Sequence, residues 1–253
     1  MSGAGTIAAR PFDLAPDPEV ETGAAVLCLH GLTGTPYEVL PVAETLVARG
    51  LRARGIWMAG HEEGPEALAE TVHEQWVNRA GEELAGLRAE HDRVFLVGVS
   101  MGGLVSLRLA QTESVDALVV IGTPLVLAPP LPQLLPLVRR FVRFRKKQGS
   151  DIRDPVARAR HPGLAAMPLG AVAEMIELQS EVIRALSDIV APILVAHGRL
   201  DRTARPRDAV RIHAEVSAMD KELFLLERSG HVATVDYDGP VLARAAADFL
   251  VGR

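Results

Sequence analysis

The chain has 253 residues, 48% of them hydrophobic, a net charge of −5 and a single cysteine. Length and apolar content suffice for one large core. The negative balance removes any bulk electrostatic case for nucleic acid, and the lone Cys28 excludes an internal disulfide.

Residues 1–10 have neither a basic n-region nor an apolar h-region, so no secretory signal is expected and a cytoplasmic location is. Residues 24–29 (Ala24-Ala25-Val26-Leu27-Cys28-Leu29) are apolar at every position, as in a strand buried on both faces of a parallel sheet. Cys28 there reads as a small buried hydrophobe. The loop His30-Gly31-Leu32-Thr33-Gly34 follows. Its glycines let backbone approach a ligand, and His30 is expected to prop the loop by hydrogen bonds. Residues 36–49 open on a proline and stop before Gly50, which predicts a helix. A second strand is expected at 51–56, with His61 beyond it in a structural role. Residues 71–90 place Val72, Trp76, Ala80, Leu84 and Leu87 on one helical stripe. His73, His91 and His213 all fall on helical stretches and are expected to face solvent.

A third strand, 94–97, runs into Gly98-Val99-Ser100-Met101-Gly102 and then a helix, 100–112. G-x-S-x-G between strand and helix marks a nucleophile elbow, with Ser100 held in a strained turn at the top of the sheet. A fourth strand is expected at 117–121. The stretch from Ala117 to Val138 is uncharged, but Pro124, Pro129, Pro130, Pro132 and Pro136 would break a membrane-spanning helix. It reads instead as a strand, an apolar loop and a helix, so no stable membrane insertion is expected.

No strand is expected between residues 123 and 189. Residues 1–122 and 190–253 then form an α/β core, and 123–189 a helical lid inserted where strands end. Leu125, Leu127, Leu131 and Leu134 in the lid would supply an acyl-chain surface. The basic run 139–147 reads as the solvated face of a lid helix whose apolar side carries Leu137, Phe141 and Phe144. Transient docking to an anionic lipid surface is the second reading of that run.

Strands at 193–196 and 222–226 and helices at 206–217 and 240–251 complete an open, mostly parallel sheet flanked by helices. A serine hydroxyl needs a base, and the base needs an orienting carboxylate. His231 follows the last strand, in Ser229-Gly230-His231-Val232-Ala233, at the sheet end where Ser100 stands. Asp201 is the acid in the loop after strand 193–196, while Asp236 and Asp238 read as supporting turn residues. The N–H groups of Met101 and Leu32 are the candidate oxyanion donors.

Three blocks carry a resemblance: Leu27-Cys28-Leu29-His30-Gly31-Leu32-Thr33-Gly34-Thr35-Pro36, Gly98-Val99-Ser100-Met101-Gly102-Gly103, and the stretch from Ser229 to Asp238. With the order Ser100, Asp201, His231, the chain resembles the bacterial carboxylesterases and monoacylglycerol lipases of the α/β-hydrolase superfamily. The resemblance implies an α/β-hydrolase fold with a small helical lid. It also implies a cofactor-free esterase for short- to medium-chain acyl esters, with Ser100, Asp201 and His231 as triad and Leu32 and Met101 as oxyanion donors. Two departures stand out: His61-Glu62 replaces a His-Gly pair, and residues 156–167 contain arginines and His161 but no acid to hold glycerol hydroxyls.

The expected function is serine-dependent hydrolysis of a small acyl ester or lipid, monoacylglycerols among the candidates, through an acyl-enzyme and without metal or organic cofactor. The base is expected to titrate near the ordinary histidine value of about 6.5. An acyltransferase or thioesterase using the same three residues is the alternative, and a non-catalytic binding module the third reading. The sequence leaves the oligomeric state open.

Overall fold

Strand β2 (Ala24–Leu29) is wholly buried because it has a helical layer on each side: Ala25, Leu27 and Leu29 enter one apolar cluster, and Ala24, Val26 and Cys28 the other. The period of two is the strand's own geometry. It repeats in β4 (Arg93–Val99), where Val94 and Leu96 face one layer and Phe95, Val97 and Val99 the other. A computed structural model describes residues 9–147 and 149–253, without the Leu131 side chain. The signal-peptide expectation for residues 1–10 therefore falls almost entirely outside the described part. Burial pushes the Cys28 thiol well above its ordinary pKa, as suits an inert core residue.

The main sheet adds β1 (Phe12–Leu14), β3 (Arg52–Gly55), β5 (Ala117–Ile121), β8 (Ile193–Gly198) and β9 (Lys221–Leu226), in the spatial order β1-β3-β2-β4-β5-β8-β9. Every pairing is parallel except β1 on β3. Edge strand β1 is a structural addition to the elements expected from sequence. It is too short to show a pattern, and Asp13 holds it to Arg52 and Arg54 at 2.8 Å each.

Helices α1 (Leu40–Val47) and α9 (Gly239–Val251) pack together and cover one face. Helices α3 (His73–Glu90), α4 (Met101–Thr112) and α7 (Leu169–Arg184) cover the other, with α2 (Pro65–Glu70) and α8 (Pro206–Glu215) beside them. Several helix expectations are corrected. Residues 36–49 divide into a 3-10 turn, Pro36–Glu38, and α1, because Pro41 in the first turn of α1 has no N–H to continue an earlier helix. Helix α3 begins at His73, with extended Val72 as its N-cap, so Val72 leaves the apolar stripe and is 42% exposed. His73 turns inward: its Nδ1 lies 2.9 Å from Glu174 of α7, a carboxylate partner that no local pattern announces.

Between β5 and β8 the chain forms α5 (Leu131–Val138), β6 (Phe144–Lys146), α6 (Pro155–Arg160), β7 (Ala166–Pro168) and α7. Two expectations change here. A two-stranded antiparallel ladder, Phe144 opposite Pro168, stands where no strand is expected. The basic run is not a helix: α5 ends at Val138, and Phe144, Arg145 and Lys146 follow a strand's alternation. Phe141 and Leu137, expected on the buried side of that helix, are 83% and 59% exposed. No helix among the described residues is long and apolar enough to cross a membrane.

Candidate active site

Strand β4 delivers Ser100 directly into α4. Ser100 has φ 55° and ψ −115°, a conformation that costs a non-glycine residue on the order of 1–3 kcal/mol. The crowding that enforces it is visible at the flanking glycines. A Cβ on Gly98 would lie 2.3 Å from Gly102 O, and one on Gly102 would lie 2.2 Å from Leu29 O of β2. The backbone around Ser100 is tied down in turn. Its N–H donates to Ile121 O at 2.8 Å, and its carbonyl accepts from Gly103 and Leu104.

The loops after β8 and β9 bring Asp201 and His231 to the serine. His231 Nε2 lies 2.8 Å from Ser100 Oγ, and His231 Nδ1 lies 2.8 Å from Asp201 Oδ2. The two contacts assign the proton to Nδ1 and leave Nε2 to accept from the serine hydroxyl. Asp201 Oδ1 accepts from the N–H groups of Thr203 and Ala204 at 2.7 and 2.8 Å. His197 Nε2 is 2.9 Å from Asp201 Oδ2 but off the axis of a directed hydrogen bond, so that contact is chiefly electrostatic. Burial pushes the Asp201 carboxyl up, yet the charge of His231 and the contacts with His197 and His231 hold it far below the carboxylate range. Burial pulls the His231 imidazole down, but the Asp201 charge and hydrogen bond outweigh it and leave it above an ordinary histidine.

The His231 loop rests on two acids and a carbonyl of the segment between β5 and β8. Asp236 accepts from Gly230, Arg153 and Asp154 N–H groups at 2.8 Å each, and Asp238 from Ser229 Oγ at 2.9 Å. The His231 N–H donates to Asp151 O at 2.8 Å.

The His30–Gly34 loop closes the other side. His30 Nδ1–H donates to Gly31 O at 2.9 Å while its Nε2 accepts from Met58 N–H, so the buried ring spans two loops. His61 stacks edge-on against it, centroids 4.9 Å apart. The N–H groups of Leu32 and Met101 donate to no other group among the described residues, which leaves both open to a ligand beside Ser100.

A cavity of about 960 Å³ opens over Ser100 and His231. Leu127 and Leu134 line it, as expected from sequence, whereas Leu125 does not. The Asp208 carboxylate takes the Leu125 N–H at 3.0 Å and the Leu125 side chain turns into the core. Leu131 lies outside the described side chains. Sequence reasoning missed Val172 and Met175 of α7, which also belong to the apolar wall, although their three-residue spacing was available as a signal. It also missed Glu38, whose Oε2 accepts from Gly31 N–H at 2.8 Å, and Lys147, whose ammonium donates to Thr33 Oγ1 at 2.7 Å.

Residues 20–238 match the sequence profile of the family described as "Serine aminopeptidase, S33". A thermostable monoacylglycerol lipase of Bacillus sp. (strain H-257) is 28% identical over 224 residues, 88% of this chain and 89% of the relative. A carboxylesterase of Bacillus subtilis (strain 168) is 26% identical, covering 89% of this chain and 92% of the relative. Among solved structures, one from work on the metagenome-derived lipolytic enzymes LipS and LipT superposes with a TM-score of 0.90 at 24% identity, over 98% of this chain and 99% of that one. A Paleococcus ferrophilus monoacylglycerol lipase does so with a TM-score of 0.80 at 19% identity, over 96% and 98%. At these identities the structural likenesses establish the α/β-hydrolase fold.

Proposed function

The chain belongs to the Hydrolase_4 family of serine hydrolases, and on that premise we propose that it cleaves short- to medium-chain carboxylic esters, monoacylglycerols among them. The observation that carries the proposal is the unbroken contact line Ser100 Oγ–His231 Nε2, His231 Nδ1–Asp201, at the floor of a largely apolar cavity. Ser100 attacks the ester carbonyl while His231 takes its proton. Asp201 holds the ring tautomer and stabilises the imidazolium. The tetrahedral oxyanion rests on the Leu32 and Met101 N–H groups. His231 then protonates the departing alcohol, and water activated by the same ring releases the acid from the acyl-serine.

The carboxylates of the cavity favour an ester over an aminopeptidase substrate. A free amino terminus needs an uncommitted carboxylate, and both Glu38 and Asp151 are already engaged, by Gly31 and His161 and by Arg202 and Arg153. In the same proposal residues 123–189 act as a lid over the core. Exposed Leu137 and Phe141 beside Arg139, Arg140 and Arg143 support transient contact of that lid with a lipid surface.

The test is a hydrolysis panel of p-nitrophenyl esters of increasing chain length, monoacylglycerols and aminoacyl p-nitroanilides. Ester cleavage with an optimum at short to medium chains is the expected result. Cleavage of the anilides alone, or of nothing, would overturn the proposal.

A further inference from the structure

Two unlike sets of residues line the cavity over Ser100 and His231. Leu127, Leu134, Val172 and Met175 belong to the apolar set. The polar side includes Lys147, beside the Thr33 loop, and Asp151, beside the histidine loop. Lys147 donates to Thr33 Oγ1 at 2.7 Å, and Asp151 O accepts from the His231 N–H at 2.8 Å. Because His231 must protonate the departing alcohol, the alcohol part of an ester belongs on this second side and the acyl chain on the first.

The second side is charged, and its charges do not cancel. Both of its acids are committed: Glu38 to the Gly31 N–H and His161, Asp151 to the Arg202 N–H at 2.6 Å and the Arg153 guanidinium at 3.3 Å. Its cations are not. Half-buried Lys147 uses one of its three donors, and among the described residues no carboxylate lies within ion-pair distance of it. Arg145 and Arg202 line the same mouth with exposed side chains and have no carboxylate partner among the described residues. Burial draws the Lys147 ammonium below its ordinary pKa, with the Glu38 charge restoring part of the loss. An ammonium partly withdrawn from water with no carboxylate in direct contact gains more from an anion than from a neutral hydroxyl.

We propose that Lys147, with Arg145 and Arg202, binds an anionic group on the alcohol part of the substrate. The preferred esters are then monoacyl esters of an alcohol that bears a phosphate or a carboxylate. The inference rests on the ester-hydrolase reading above and narrows it.

The test compares kcat/KM for three dodecanoyl esters below their aggregation concentrations: 1-dodecanoylglycerol 3-phosphate, dodecanoyl lactate and neutral 1-dodecanoylglycerol. p-Nitrophenyl butanoate serves as the common reference. A charge-assisted hydrogen bond predicts an anionic-to-neutral ratio of about 10 to 100. Added salt should reduce that ratio. Lys147→Gln and, independently, Arg202→Gln should each lower it, and Lys147→Arg should restore most of it. Preference for the phosphate ester alone identifies a phosphate headgroup, for the lactate ester alone a carboxylate, and for both a general anion site. A wild-type ratio at or below one, or Lys147→Gln changing both classes by the same factor, overturns the inference while ester hydrolysis stands. Hydrolysis of none of the four esters removes the ester-hydrolase reading and this inference with it.

Discussion

Glu38 and His161, 123 residues apart in the chain, meet Oε1 to Nε2 at 2.9 Å with both side chains almost fully buried. The contact clamps the segment between β5 and β8 to the loop beside Ser100, because the other oxygen of Glu38 accepts the Gly31 N–H. Burial pushes the Glu38 carboxyl up, but the His161 hydrogen bond and charge, the His30 charge and the Gly31 N–H bring it down to about 2. A folded-state value below the unfolded one stabilises the protein above the unfolded pKa and is lost as pH falls towards 2. Urea unfolding of the wild type should therefore lose roughly 3 kcal/mol from this group between about pH 5 and 2. Glu38→Gln should already lack that stability at neutral pH and show a shallower acid limb. Equal slopes for the two proteins would remove the clamp.

The pH dependence of kcat/KM reports the free-enzyme base. The structure moves the expectation upward from the ordinary histidine value, since the Asp201 charge and hydrogen bond more than offset the burial of His231. Neutral imidazole is the active form, so activity should rise with pH through a midpoint above about 6.5 and then level off. The linked stability runs the other way. It is fully present below the unfolded pKa and is lost as pH rises through the folded one. Asp201→Asn should shift the rising limb to lower pH and reduce kcat on the order of 10⁴-fold. A profile flat from acid to alkaline pH would exclude His231 as the base.

Chain-length preference should follow the apolar wall. Val172 and Met175 face the cavity from α7, so Val172→Trp should shorten the space left for an acyl chain. Each methylene denied burial costs about 0.8 kcal/mol, close to fourfold in kcat/KM. The variant should discriminate against dodecanoyl relative to butanoyl p-nitrophenyl esters by tenfold or more. An unchanged chain-length profile would place the acyl group elsewhere.

Much of the core is legible in the sequence because its strands are buried on both faces and read as unbroken apolar runs; β2, β4, β5 and β8 are of this kind. Ser100 and Asp201 each lie just beyond such a run and His231 beyond the half-buried edge strand β9, and the shared direction of parallel strands carries all three to one rim. What escapes is of another nature. Periodicity reports which face of an element is apolar and not what meets it, so the burial of His73 against Glu174 has no local signature. Glu38 looks like any helix-surface acid until the break at Val39 and Pro41 turns the 3-10 segment inward. The ladder of β6 and β7 is three residues a side, too short for alternation to declare itself. Lys147 lies just beyond that ladder, and its place in the cavity follows from the pairing alone.

The most direct measurement is covalent capture of the nucleophile. Purified protein is treated with a fluorophosphonate, digested and analysed by mass spectrometry. One adduct is predicted, on the peptide containing Ser100, absent in Ser100→Ala, which should fold normally and lose kcat on the order of 10⁴- to 10⁶-fold. An unlabelled wild type, or labelling that persists in Ser100→Ala, would contradict the assignment of Ser100 as the attacking group.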